Sequence, residues 1–282
     1  MNHLGAKIKP VRRVISASRR VELLGCFPKK LTDFLENRLP PEKVHTLVLW
    51  TKNANVLLNN RKVREVLKRY DQIYVHYTIT GMGGTFLEPY VPKAEKLLTR
   101  LPEIIEFVGN PLRVHWRFDP IVHLKDTDQN FYSNIGFFPE LAGRILPQGI
   151  RNVTVSWMAI YPKVANHLQK YGFSPVEISD EEQKKEAKRL ESLAHSFGAR
   201  VHYCCMEGFS QAKCIDGQLF TLLHPAQETA SVRKAKGQRP FCGCTESWDI
   251  GWYYPCPYGC LYCYANPRLF PVEAVLAKGW HF

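Results

Sequence analysis

The feature that most constrains this fold is the alternation of short β-rich runs with helix-prone runs along most of its 282 residues. The strand candidates are VRRVISAS (11–18), HTLVLWT (45–51), QIYVHYTIT (72–80), LRVHWRF (112–118), NVTVSWM (152–158) and ARVHYCC (199–205). Each is rich in β-branched and aromatic residues. In SDEEQKKEAKRLESLAHSFG, Ser179 or Asp180 can cap a helix. Ala187, Leu190, Ala194 and Phe197 make its apolar face, and Gly198 ends it. Residues 91–108, rich in Leu and Ile, read as a second helix. Alternation of this kind gives a parallel sheet covered by helices. Six units plus a C-terminal remainder predict an α/β fold, a TIM-like (β/α) barrel. An open doubly wound sheet is the alternative, but no G-x-G-x-x-G follows the first strand. The expected organisation is one compact domain. Residues 1–210 are expected to form the main part of the barrel, and 211–282 a cysteine-rich segment packed on its mouth.

Side chains alternate in direction along a strand. In HWRFD, His115, Arg117 and Asp119 share one side, opposite Trp116 and Phe118. His76, Thr78 and Thr80 oppose Val75, Tyr77 and Ile79, while His202 and Cys204 oppose Val201 and Tyr203. Thr154 and Ser156 oppose Val153 and Val155. A packed barrel centre is lined with branched apolar residues. A polar face repeated on four strands instead predicts a wet or reactive cavity, the alternative being a layer of satisfied core polar groups. Barrel sites lie at the C-terminal ends of the strands. Those ends carry Arg19, Arg20, Lys52, Arg117 and Asp119, which makes them the candidate catalytic or substrate-orienting residues. Arginine pairs suit phosphate or carboxylate groups.

The formal net charge of +12 favours an anionic partner, either a small molecule or nucleic acid, although a solvated basic surface has the same composition. No apolar run reaches the length of a membrane span, and the N-terminus is basic but lacks an apolar h-region. The expectation is a cytoplasmic protein with no membrane partner. In that compartment nine cysteines speak for metal or redox work rather than disulfides. Cys26 and Cys205 have no partner in spacing and read as buried free thiols.

The stretch PCPYGCLYCYAN holds Cys256, Cys260 and Cys263 in the spacing C-x3-C-x2-C. Zinc sites favour paired C-x2-C knuckles, and the three-residue gap does not complete that pattern. Iron–sulfur clusters take thiolates from compact loops, and three thiolates leave one iron of a four-iron cluster open. Cys204, Cys214, Cys242 and Cys244 make a second four-thiolate set, suited to an iron–sulfur cluster or to zinc. The C-G-C pair within it is a two-thiolate hook.

PCPYGCLYC, with Tyr262 before the third cysteine, resembles the signature of the radical S-adenosylmethionine enzymes. The resemblance implies a 4Fe-4S cluster on Cys256, Cys260 and Cys263, with S-adenosyl-L-methionine on the open iron and Tyr262 near its adenine. It also implies a reductant protein such as a ferredoxin or flavodoxin. GMGG (81–84) is similar to that family's glycine-rich motif, with Glu88 nearby as a cofactor-binding candidate. That family carries the cysteine loop after its first strand. Here it follows SWDIGWYY near the C-terminus, which implies a circularly permuted barrel of the radical type. C-x-x-G-C-x-Y-C-Y-A also looks like the spore photoproduct lyase group.

Most of the chain, from about Ser16 onward, resembles the bacterial domain-of-unknown-function family 1848. The residues that carry this are SASRR, LWTKN, YTITG, LEPYVP, WRFDPI, CIDG and CGCTESWDIG…CPYGCLYCYANP. That family's usual SASRRTDIPAF is here SASRRVELLGCF, with Val21 and Glu22 in place of a Thr-Asp pair. The resemblance implies fold and cluster but not a reaction. Two functions follow as expectations. One is a radical S-adenosylmethionine-type enzyme acting on a nucleotide, nucleic acid or other phosphorylated or carboxylated substrate. The other is a non-radical iron–sulfur protein for electron transfer, redox sensing or nucleic-acid binding, with closed clusters.

Overall fold

The computed structural model describes residues 12–280. The N-terminal segment 1–11, including the start of the first predicted strand, lies outside the described residues. Ten strands follow in chain order. They are β1 Arg13–Ala17, β2 Val44–Thr51, β3 Ile73–Thr78, β4 Val114–Ile121, β5 His123–Asp126, β6 Phe131–Ser133, β7 Asn152–Trp157, β8 Phe173–Pro175, β9 Arg200–Tyr203 and β10 Trp248–Asp249. The six predicted strands coincide with β1, β2, β3, β4, β7 and β9 within a few residues at each end.

Seven strands form one sheet in the order β10-β1-β2-β3-β4-β7-β9, with every pair parallel. The closed TIM-like barrel is therefore corrected to an open sheet with β10 and β9 as its edges. The physical reason lies at those edges. A closed barrel needs strands long enough to tilt and share a continuous ladder. Here one edge strand has two residues and the other four. The chain after β9 lies over the inner face of the sheet, where its Cys214, Ile215 and Phe220 pack with Val14, Val48 and Tyr74. The sheet is not doubly wound either, because neighbours follow chain order from β1 to β9 without reversal. The last strand, β10, does lie beside the first, with Ile15 opposite Trp248 and Ser16 opposite Asp249.

Right-handed crossovers between successive parallel strands place the connecting helices on one face. That outer face carries Ile15, Leu47, Leu49, Val75, Tyr77, Trp116, Phe118, Val153, Val155 and Tyr203, which form the main core with the helices. Trp116 and Phe118 are essentially fully buried, each contributing roughly 1.5–3 kcal/mol by removing apolar surface from water. The long helix Asp180–Ser196 starts with a capping box between Ser179 and Glu182 and buries Ala187, Leu190 and Ala194. The predicted helix at 91–108 is two helices, Ala94–Leu98 and Leu101–Val108. Pro102 explains the break, since a proline fits the first turn of a helix but not its interior. A small antiparallel sheet, ordered β6-β5-β8, was not legible in the sequence because its strands have only three or four residues.

Candidate functional site

The inner face of the large sheet divides by height. In its lower part the polar residues are buried and bond one another or the backbone, His76 Nδ1 excepted, which has no partner among the described residues. His115 Nδ1 bonds the Tyr74 hydroxyl at 3.0 Å and its Nε2 bonds Thr154 Oγ1 at 2.7 Å. His76 Nε2 bonds the Cys214 carbonyl at 2.6 Å, and its ring stacks on Trp50 at 4.1 Å. These groups are buried, and desolvation holds both imidazoles below their ordinary range, His76 down to about 4. One rung higher, at the C-terminal ends of the strands, the same face opens onto a cavity of about 470 Å³. The polar stripe is thus buried at its lower end and lines a cavity at its upper end.

The cavity collects nearly every predicted site residue. Arg19, Arg20, Lys52, Arg117, Asp119 and Tyr262 line it, and so do Cys204, Cys214, Cys242, Cys244, Cys256, Cys260 and Cys263. Register explains the gathering. Thr78, Arg117 and Thr154 sit on one rung of β3, β4 and β7, and the pairing of β10 with β1 delivers the 256–263 loop beside the end of β1. Glu88 is not on the wall. It lies behind it, 1 % exposed, accepting from Lys52 Nζ at 2.8 Å, from Thr80 Oγ1 at 2.7 Å and from the Tyr262 hydroxyl.

Each predicted cation has a carboxylate partner. Lys52 pairs with Glu88, and Arg117 with Asp119, which also accepts from Ser156. Arg19 and Arg20 approach Asp249 at 3.5 and 4.0 Å. Arg239, which sequence reasoning passed over, lines the cavity without a carboxylate partner among the described residues; its Nη2 approaches Cys204 Sγ at 3.6 Å. Asp249 was also missed, although it ends β10, in the last strand-like run before the cysteine loop. It accepts from Ser16 Oγ at 2.9 Å, Ser18 Oγ at 3.0 Å and the Arg19 amide at 3.1 Å. Gly251 packs against this knot, where an added Cβ would fall 1.5 Å from Ser18 Oγ. Glu22, one of the two departures from the family's usual start, is an anchor. Its carboxylate accepts from Thr51 Oγ1, the Lys52 amide and the Gly25 amide, and burial pushes its pKa up to about 7.

The cysteines fall into two groups. The loop group holds Cys256, Cys260 and Cys263, with Cys256 N donating to the Asn266 carbonyl at 2.7 Å and Leu261 N to the Leu87 carbonyl at 3.0 Å. Gly259 turns the loop with φ of 63°, and a Cβ there would meet Phe270 and the Arg268 carbonyl below 3 Å. The Cys26 thiol, which the sequence left without a partner, interacts with that of Cys256 and is the first cause holding Cys256 down to about 6. In the second group Cys204 Sγ lies 3.8 Å from Cys205 Sγ. Cys204 also interacts with Cys214, Cys214 with Cys244, Cys244 with Cys242, and Cys242 with Cys205. Cys205 was the other unpartnered thiol, and it closes this ring. Arg117 Nη1 donates to Cys214 Sγ at 2.9 Å. Contacts with Cys204 and Cys244, followed by Arg117, hold the Cys214 thiol well below its ordinary range. Among the described residues, no three His, Cys, Asp or Glu side chains converge as the cage of a single metal ion. The loop's three thiols, Cys260 buried and Cys256 and Cys263 half-buried, line the cavity from one short segment, a donor set that fits a thiolate-held cluster.

The family described as domain of unknown function (DUF1848) matches residues 25–265, most of the chain. The chain belongs to the DUF1848 family. No curated protein and no solved structure matches it. The DUF1848 match spans the strands from β2 to β10 and both cysteine groups, while β1 precedes it. No helix among the described residues is long and apolar enough to cross a membrane.

Proposed function

We propose that the cavity is the active site of an iron–sulfur enzyme of the radical S-adenosylmethionine type that acts on an anionic substrate. The observation that carries this reading is that the three-thiol loop and a row of cations open onto one cavity. Its volume of about 470 Å³ falls within the roughly 300–1,000 Å³ usual for small-molecule sites. Cys256, Cys260 and Cys263 would hold a 4Fe-4S cluster. When bound and reduced by a partner such as a ferredoxin or flavodoxin, it supplies the electron that cleaves S-adenosyl-L-methionine. The position of β10 beside β1 supports the permuted form of that architecture, since the loop enters next to the first strand's end.

The chain's own residues bind and orient. Glu88 fixes the Tyr262 ring and the Lys52 ammonium at the wall. Arg239 offers a guanidinium without a carboxylate partner to a phosphate or carboxylate of a small molecule or nucleic acid. The test is anaerobic reconstitution with iron and sulfide, reduction with S-adenosylmethionine present, and assay for 5′-deoxyadenosine. Its formation, abolished by Cys260→Ala, supports the reading; a reduced cluster that releases none overturns it.

One contact favours a second reading. Cys26 interacts with Cys256 and could complete a four-thiolate set with Cys260 and Cys263. A cluster closed in that way transfers electrons or senses redox state and does not cleave a cofactor.

A further inference from the structure

We propose that the ring of Cys204, Cys205, Cys214, Cys242 and Cys244 is a second metal centre, a closed iron–sulfur cluster on four thiolates. In it Cys204 and Cys205 are interchangeable for the fourth position. This does not depend on the chemistry proposed for the loop.

The ring joins three segments of the chain. Cys204 and Cys205 follow β9, Cys214 lies in the segment laid across the inner face, and Cys242 and Cys244 precede β10. Five thiols from segments so far apart meet on the inner face, packed in one cluster and lining one cavity, with the Cys204 and Cys205 sulfurs 3.8 Å apart. Free cysteines are ordinarily buried singly among apolar side chains, as small hydrophobes. Here Cys214, Cys242 and Cys244 are buried, and two guanidiniums point at the ring: Arg117 at Cys214 Sγ, 2.9 Å, and Arg239 at Cys204 Sγ, 3.6 Å. Cationic donors at sulfur offset the negative charge that several thiolates bring when they bind metal.

The shape of the ring speaks for a cluster over a single ion. A lone zinc draws four sulfurs to one point about 2.3 Å away. Cluster thiolates instead each bind a different iron, and thiols brought together from three segments, more of them than one ion takes, suit that arrangement. Four ligands are needed and five thiols are present. Cys214, Cys242 and Cys244 are the buried three, which leaves Cys204 and Cys205 for the remaining place. Their sulfurs are 3.8 Å apart on adjacent residues, and Cys205 takes a left-handed backbone with φ of 58°. A left-handed conformation is uncommon for a residue with a side chain, and it turns the second thiol toward the same site as the first.

The experiment uses the full-length chain with Cys256, Cys260 and Cys263 all changed to Ala, reconstituted anaerobically with ferrous iron and sulfide. The expected result is about four irons and four labile sulfides per chain, as a single 4Fe-4S cluster requires. A folded triple variant (by circular dichroism) that binds no iron, or that purifies with zinc and no labile sulfide, overturns the proposal. Should the triple variant not fold, the loop-intact chain carrying Cys242→Ser and Cys244→Ser is compared with the parent. It should lose about half the iron if two 4Fe-4S clusters are present, and unchanged iron overturns the proposal. Cys204→Ser and Cys205→Ser should each keep the ring's iron, and the double variant should lose it. Retention in the double variant, or complete loss in either single one, overturns the interchange. Failure of the loop's 5′-deoxyadenosine assay leaves every one of these readouts intact, so the two proposals fail separately.

Discussion

Arg117 Nη1 donates to Cys214 Sγ at 2.9 Å while the same guanidinium pairs with Asp119 and lies over the Trp50 ring at 4.9 Å. One buried side chain thus links the thiol ring, the carboxylate at the end of β4 and the aromatic wall of β2. Burial alone would depress the guanidinium, but the Cys214 and Cys204 sulfurs reverse the effect and hold it charged.

Arg117→Ala should therefore cost stability well beyond a surface change. It leaves Asp119 with only Ser156 and removes the donor at Cys214. Breaking a buried pair by deleting one partner costs about 3–5 kcal/mol. A urea midpoint unchanged from the parent would show that solvent replaces these contacts.

Glu88 and Lys52 should behave as a coupled pair. Glu88→Gln leaves the Lys52 ammonium without a counter-charge and weakens the acceptor for Tyr262 and Thr80, which should cost about 2–4 kcal/mol. Adding Lys52→Met should restore part of that loss, because the unpaired charge is then gone. Additive losses in the double-mutant cycle would show that the two residues act independently.

His115 gives the stability a pH dependence of known sign. Its folded pKa lies well below 6.5 because of burial, with His76 adding to the effect. Below about pH 6.5 the unfolded chain therefore takes up a proton that the folded chain refuses, and stability falls as pH drops, by up to about 1.4 kcal/mol per unit. Glu22 works in the opposite direction: its carboxyl is held up to about 7, so its contribution is lost as pH rises through that value. Comparing His115→Gln with the parent removes the Glu22 effect. The variant should lose stability less steeply between pH 6 and 4, and parallel curves would count against the buried neutral imidazole.

Cys26→Ser separates the open loop from the closed one. With three loop thiolates as the full protein set, the variant should keep its iron and still form 5′-deoxyadenosine. Loss of the loop's iron would assign Cys26 as a fourth ligand and move the protein to the electron-transfer reading.

Ser179→Ala tests the capping box of the helix Asp180–Ser196. The Ser179 side chain accepts from the Glu182 amide at 3.3 Å, and Glu182 accepts in return from the Ser179 amide at 2.9 Å. Removing the hydroxyl should cost about 1 kcal/mol, measurable as a lowered thermal midpoint.

By itself the sequence determined the strands, the parallel α/β class and which side chains share a strand face, because these follow from local periodicity. The alternation in HWRFD placed His115, Arg117 and Asp119 together, and the structure keeps them on the inner face, with Trp116 and Phe118 in the opposite core. C-x3-C-x2-C likewise announced its thiol loop through spacing alone. Only the tertiary structure decided whether the sheet closes, since closure depends on the length of β10 and on what the chain after β9 covers. It alone paired Cys26 with Cys256, drew Cys205 into the ring and matched Lys52 to Glu88. Those partners lie far apart in sequence or, like Cys205, meet through residues that do. No local pattern of spacing or hydropathy records a contact that exists only after parallel strands have set their register.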